Sequence, residues 1–299
     1  MLAEYAVAAG LGGTYILEGM AMLATLAGSF QRCGHEILYP TSGPTIKAGK
    51  PISLKGSGTD GFRDFLARTE ADAGLVIAPD DVLPEFLEAL EMNTANLGCS
   101  PEAARLCADK LQSTLKLKMA GVPVADVVDK PAACGCTRYV IKPRYGCGSE
   151  GIRITSSPKA PDGFISTRYA EGIHLSTSFI VGDRFLPITI NRQLIEFSRD
   201  AISYNGSQVP YNTPRAEEIW DVSRRASEVL GLKGYAGIDM VVGDLPRVVD
   251  VNPRPTTSMI GISKVMREDL ADLILRSMFG SLPAKIGIEG QIIFTKKDL

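Results

Sequence analysis

The sequence predicts a chain of mixed class, with an α/β unit first and an α+β remainder after it. Three observations lead there. Strand and helix patterns alternate through the first hundred residues, which predicts a small parallel sheet covered by helices. Strand patterns then dominate from residue 138 to residue 190. A carboxylate-bearing hairpin pattern follows at residues 237–254. At 299 residues the chain is too long for one small core, so two or three packed lobes are expected. The expected divisions are an N-terminal α/β domain at 1–98, a helix and strand-rich lobe at 99–170, and a C-terminal α+β lobe at 171–299.

The elements are expected in this order. Ile16, Leu17, Met20, Leu23, Ala24, Ala27 and Phe30 recur at helical spacing over residues 14–33, and Gly34 suits the stop. Residues 41–60 are rich in Gly, Ser and Pro and predict a long loop bordering a cleft. Residues 74–79 read as a short buried strand, followed by Asp80 and Asp81. Pro84 then opens a helix with Phe86, Leu87 and Leu90 on one side. Ser100, Pro101 and Glu102 open another, expected to run unbroken to about residue 120 before Gly121 and Pro123 end it. Strands are expected at 138–142, 151–154, 174–181 and 185–190. A helix after Thr213 buries Ile219, Ala226 and Leu230 and stops at Gly231. Strands at 236–242 and 247–252 and a last helix over 263–279, carrying Met266, Leu270, Ile274 and Met278, complete the pattern.

Composition excludes several functions. The 32 basic and 34 acidic residues leave a net charge of −2, which argues against a broad nucleic-acid or membrane-surface footprint. Six cysteines are scattered without a CxxC pair and only two histidines exist, so ordinary reduced thiols are expected rather than a zinc site. No basic segment followed by an apolar run opens the chain, and no apolar stretch is long enough to span a bilayer. The cytoplasm is the expected location.

Two segments carry chemistry. In the hairpin over residues 237–254 the loop is expected at 243–246, with Val242 opposite Arg247. Asp239 then faces Asp250, and Asn252 shares that face, because side chains alternate along a strand. Ile238, Met240, Val249 and Val251 take the core face. Two opposed carboxylates repel, and a bound Mg2+ would compensate them. The other explanation is a solvated acidic face in a different register, since a slip of one residue separates the acids. In the second segment an apolar strand ends in Lys142, and a loop with Gly146, Gly148 and Gly151 follows. Glycines admit backbone N–H groups close to phosphate oxygens, and the lysine adds a point charge. A plain glycine-rich turn with a surface lysine fits the same residues. The segment is not a Walker A loop, because no Gly-Lys-Ser/Thr opens a helix there.

Four segments in order resemble the ATP-grasp superfamily: Lys110 on a helix ending near 120–123, the loop from Lys142 to Gly148, residues 169–174, and Asp239 with residues 250–254. The match covers residues 98–262. The resemblance implies an ATP-grasp fold behind an N-terminal pre-ATP-grasp domain. It implies ATP and Mg2+ as cofactors, with two metal ions and Mn2+ as an admissible substitute. Lys110 and Lys142 would contact phosphates, and Gly146 and Gly148 would close over them. Arg168, Tyr169 and Ala170 would form the hinge against adenine, with His174 where a ribose-binding glutamate is common. Asp239, Asp250 and Asn252 would hold metal, although the bridging ligand is more often Glu than Asp. Lys142 and Arg254 would act in phosphoryl transfer. Arg192 is the candidate for the substrate's carboxylate, with Arg254 shared between substrate and phosphate.

The implied activity is carbon–nitrogen ligation with release of ADP, acting on a small-molecule carboxylate and an amine. The segments around Glu4 and Tyr5, at 17–23 and at 190–194 narrow the resemblance to the ligase branch that serves methanofuran biosynthesis. That branch implies L-glutamate and tyramine as substrates. Another amino-acid ligase, a carboxylase working through carboxyphosphate, and a non-catalytic ATP-binding regulatory module are the alternatives.

Overall fold

The computed structural model describes all residues except 55–57, 131–137, 147–150, 199–200 and 299. The N-terminal unit opens with β1 (Leu2–Glu4), α1 (Tyr5–Ala9) and α2 (Gly13–Arg32), then β2 (Leu38–Thr41) and β3 (Lys50–Ser53). It continues with α3 (Gly58–Arg68), β4 (Ala73–Ile77), α4 (Leu83–Glu91) and β5 (Ala95–Asn96). β1, β4 and β5 form a parallel sheet with β4 central, and β2 and β3 form a separate parallel pair. β4 is the buried apolar run expected of a strand covered on both faces. The segment at 41–60 is therefore not a long loop. It contains β3 and the start of α3, and its described residues do not line the cleft.

α2 buries Met22, Leu23, Leu26, Ala27 and Phe30. Leu17 and Ala24, expected inward, are exposed. Each large apolar side chain so buried contributes roughly 1.5–3 kcal/mol. The partners of α2 include C-terminal residues: Met259, Ile262, Leu270, Leu273 and Ile274 belong to the same core cluster.

α5 (Pro101–Ala108) and α6 (Lys110–Met119) replace the single helix expected over 100–120. Asp109 breaks it, with φ −86° and ψ 94°, and its carboxylate accepts from the Leu111 and Gln112 N–H groups as the cap of α6. β6 (Tyr139–Pro143), β7 (Arg153–Thr155) and β8 (Phe164–Arg168) follow. β9 (Ile173–Val181), β10 (Phe185–Ser198), β11 (Ala201–Val209), α7 (Ala216–Leu230), β12 (Gly234–Val242) and β13 (Pro246–Asn252) come next. α8 (Met259–Val265), α9 (Leu270–Phe279) and β14 (Ile292–Thr295) complete the order.

The strands from β6 onward join one sheet in the order β13-β12-β9-β10-β11-β7-β6-β8, with β14 added to β11. The last helix expected over 263–279 is likewise two. Met266 turns extended and bridges to Ile288, while the Ala271 N–H of α9 donates to Ser29 on α2 at 3.0 Å. A contact from another element thus caps α9 and overrides the helical spacing. Met278 is exposed. Among the described residues no helix is long and apolar enough to cross a membrane.

Candidate active site

A cleft of about 400 Å³ lies where these elements converge, within the range of small-molecule sites. β12 and β13 supply its acids. Asp239 pairs with Asp250 across the ladder, as the hairpin pattern predicts. The route to that register differs from the expected one. The loop is shorter, with Val242 opposite Pro246, and a bulge between Asp239 and Met240 restores the pairing. Val249 is the extra residue. It faces the cleft, and Val248, 4% exposed, takes the core place expected of Val249. A bulge leaves a residue out of the ladder, and the Val249 carbonyl accepts from Lys142 Nζ instead.

Lys142 is buried at the end of β6. Burial pushes its ammonium down to about 8, against the pull of Asp250. Lys110 is buried too, and donates to both Asp250 oxygens at 2.8 and 3.1 Å. The helix break creates this position: the Lys110 N–H donates to the Arg144 carbonyl, and Asp109 accepts from Arg144 Nε at 2.8 Å and Tyr145 Oη at 3.0 Å. The lysine helix and the start of the glycine loop are thereby tied together. Burial pushes Asp250 up, but Lys110 and Lys142 outweigh it and hold the carboxyl below its ordinary range. Asp239 goes the other way. Burial first, then the Asp250 charge, lifts it to about 7, although Gln193 Nε2 donates to it at 3.1 Å.

The oxygens of Asp239, Asp250 and Asn252 form the kind of donor set a hard divalent cation takes. A cation between the acids would relieve the repulsion that raises Asp239. No cluster of three His, Cys, Asp or Glu stands here or elsewhere among the described residues. Remaining coordination positions would fall to phosphate oxygens and water. The residues present fit Mg2+.

The other expected residues are placed as follows. Arg168, Tyr169 and Ala170 line the cleft after β8, and Tyr169 lies under the Arg138 guanidinium at 4.1 Å. His174 lines it from β9, where burial holds its imidazole below the usual range. Gly146 lines it with φ +110° and open space around its missing Cβ, a backbone form that favours glycine. Gly148 lies outside the described residues. Arg254 lines the cleft and donates to Asp80 at 2.8 Å. Asp80 follows β4, so the N-terminal unit anchors the arginine.

Arg192 is the exception. It is exposed, outside the cleft, with its guanidinium 5.9 Å from the Tyr211 ring. Adjacent residues of β10 take opposite faces, and it is Gln193, not Arg192, that faces Asp239.

Sequence reasoning did not assign the N-terminal side of the cleft. Glu4 caps α1 by accepting from the Val7 N–H at 2.7 Å. Its carboxyl packs where a Cβ on Gly19 would meet it at 2.3 Å, so any larger residue there would displace the Glu4 carboxylate. Burial lifts Glu4 to about 7. Glu18, Tyr5, Tyr15 and Lys296 line the same region. Glu4, Tyr5 and Glu18 lie in segments that narrowed the resemblance, but no role in the cleft was assigned to them; Tyr15 and Lys296 had no such signal.

With this geometry in hand, the relatives are informative. A family model described as an ATP-grasp domain matches residues 107–258. A tyramine–L-glutamate ligase of Methanocaldococcus fervens is 29% identical over 292 residues, covering 92% of either chain. Among solved structures, an ATP-grasp superfamily protein from Archaeoglobus fulgidus gives a TM-score of 0.77 at 26% identity, over 98% of this chain and 97% of that one. The biotin carboxylase domain of 2-oxoglutarate carboxylase from Hydrogenobacter thermophilus, solved with MgADP and bicarbonate, gives 0.75 at 14% identity, over 98% of this chain and 73% of that one.

Proposed function

The chain belongs to the ATP-grasp family, and from that premise we propose that it is a Mg-ATP-dependent ligase joining the side-chain carboxylate of L-glutamate to the amine of tyramine. One observation carries the assignment. Two buried lysines and two opposed acids converge in a single cleft, an arrangement costly to hold unless phosphates and cations complete it. The likeness to a tyramine–L-glutamate ligase over 92% of the chain supports the substrate pair.

Asp239, Asp250 and Asn252 would hold Mg2+, and the metal would supply charge neutralisation to the polyphosphate. Lys110 and Lys142 bind the phosphate chain, and residues 168–170 with His174 take the nucleoside. Arg254, braced by Asp80, orients the attacking carboxylate. A carboxylate oxygen attacks the γ-phosphorus, the bond to the β-phosphate oxygen breaks, and ADP departs. The amine nitrogen then attacks the acyl carbon. The C–O bond to phosphate breaks, and phosphate leaves with its electron pair and the amine's proton. Closure of the loop at Gly146 keeps water from the acyl phosphate.

The test is ADP release with Mg-ATP, L-glutamate and tyramine, omitting each in turn. ADP formation that needs all three is expected, together with a glutamyl amide of tyramine. ADP release that ignores the amine would overturn the ligase assignment.

A further inference from the structure

α2 and the turn that follows β14 bring two distant parts of the chain together at one charged pair inside the cleft. Glu18 Oε1 lies 2.8 Å from Lys296 Nζ, with side-chain exposures of 21% and 28%. Glu18 also accepts from Thr257 Oγ1 at 3.2 Å, three residues beyond Arg254. Lys296 Nζ stands 5.8 Å from the Tyr204 ring. β14 is fixed by its pairing with β11, from Gly206 opposite Thr295 to Val209 opposite Ile292. Both charges therefore sit on ordered elements, partly desolvated and opening on the cleft. The phosphate-binding lysines are engaged elsewhere, with Asp250 and with the Val249 carbonyl.

A cleft wall with one fixed anion beside one fixed cation discriminates by charge pattern. A dicarboxylate would set an anion against Glu18, and a simple amine would set a cation against Lys296. A zwitterion alternates with both. We propose that Glu18 and Lys296 read the α-amino-acid head of the carboxylate substrate, Glu18 facing its ammonium and Lys296 its α-carboxylate. The side-chain carboxylate is then left for activation beside Arg254. The inference rests on the amino-acid ligase assignment and names the residues that select its substrate.

Calorimetry tests it on the full chain with MgADP present, using L-glutamate and glutarate, which lacks the ammonium. Wild type should bind glutamate more tightly than glutarate. Glu18→Gln and Lys296→Met should each weaken glutamate binding by about tenfold or more, as expected for a charged hydrogen bond. Glu18→Gln should also shrink the preference over glutarate. The double exchange E18K/K296E keeps the ion pair and so keeps the melting temperature, yet it should not restore glutamate binding. Restored binding in the exchanged pair, wild-type affinity in the single variants, or no glutamate binding by wild type would overturn the proposal. ADP release run alongside separates the two levels. Full turnover with unchanged KM in the variants sinks the Glu18–Lys296 site and leaves the ligase standing. Glutamate binding that depends on both residues, without turnover in wild type, keeps the site and removes the ligase.

Discussion

At Lys142 the energetics of the site are concentrated in one side chain. Its ammonium is buried and desolvated, and it is held by a carbonyl that a strand bulge leaves outside the ladder. A group in that state costs stability unless a phosphate completes it. Methionine has similar length and no charge to desolvate. Lys142→Met should therefore keep or raise the melting temperature while weakening ATP binding by about tenfold or more, because a charged hydrogen bond is lost. Unchanged nucleotide affinity by calorimetry would remove Lys142 from the site. The pairing of Asp239 with Asp250 was legible in the hairpin pattern, although a shorter loop and a compensating bulge produce it, and Lys142 was marked by its place at the end of an apolar strand before a glycine-rich loop. Arg192 was chosen for its charge, and strand alternation turns it to the face of β10 opposite Gln193, outside the cleft. The pairing of Glu18 with Lys296 could not be read from the sequence, since only tertiary packing joins them.

The element that matters most is the break between α5 and α6. Helical spacing runs through residues 100–120 without a mark, and an aspartate in mid-pattern does not by itself end a helix. The reason for the break lies across the cleft, in Arg144 and Tyr145, which bind Asp109 from the root of the glycine loop. The break turns Lys110 inward toward Asp250. Asp109→Ala removes the cap, a loss of about 1 kcal/mol, and unties loop from helix. The expected outcome is a modest fall in melting temperature with a severalfold rise in the KM for ATP. A fall in stability with KM unchanged would reduce Asp109 to a cap. α9 follows the same logic, taking its N-terminal hydrogen bond from Ser29.

Across the whole molecule, the first and last parts of the chain share one core. α2 packs with α8 and α9, Asp80 braces Arg254, and Lys296 meets Glu18. The main helices and the acidic hairpin were readable from periodicity, and the family from four short segments. The joining of β6, β7 and β8 to the C-terminal strands in one sheet was not, because β8 and β11 are too polar to read as strands. The N-terminal unit supplies one wall of the cleft and the large sheet the other. In the acyl-phosphate route a carboxylate oxygen passes to phosphate. L-glutamate labelled with heavy oxygen in its side-chain carboxylate, turned over with Mg-ATP and tyramine, measures this directly. One labelled oxygen in the released phosphate for each amide formed is the predicted result. Phosphate without label, at the same yield of amide, would contradict the acyl-phosphate route.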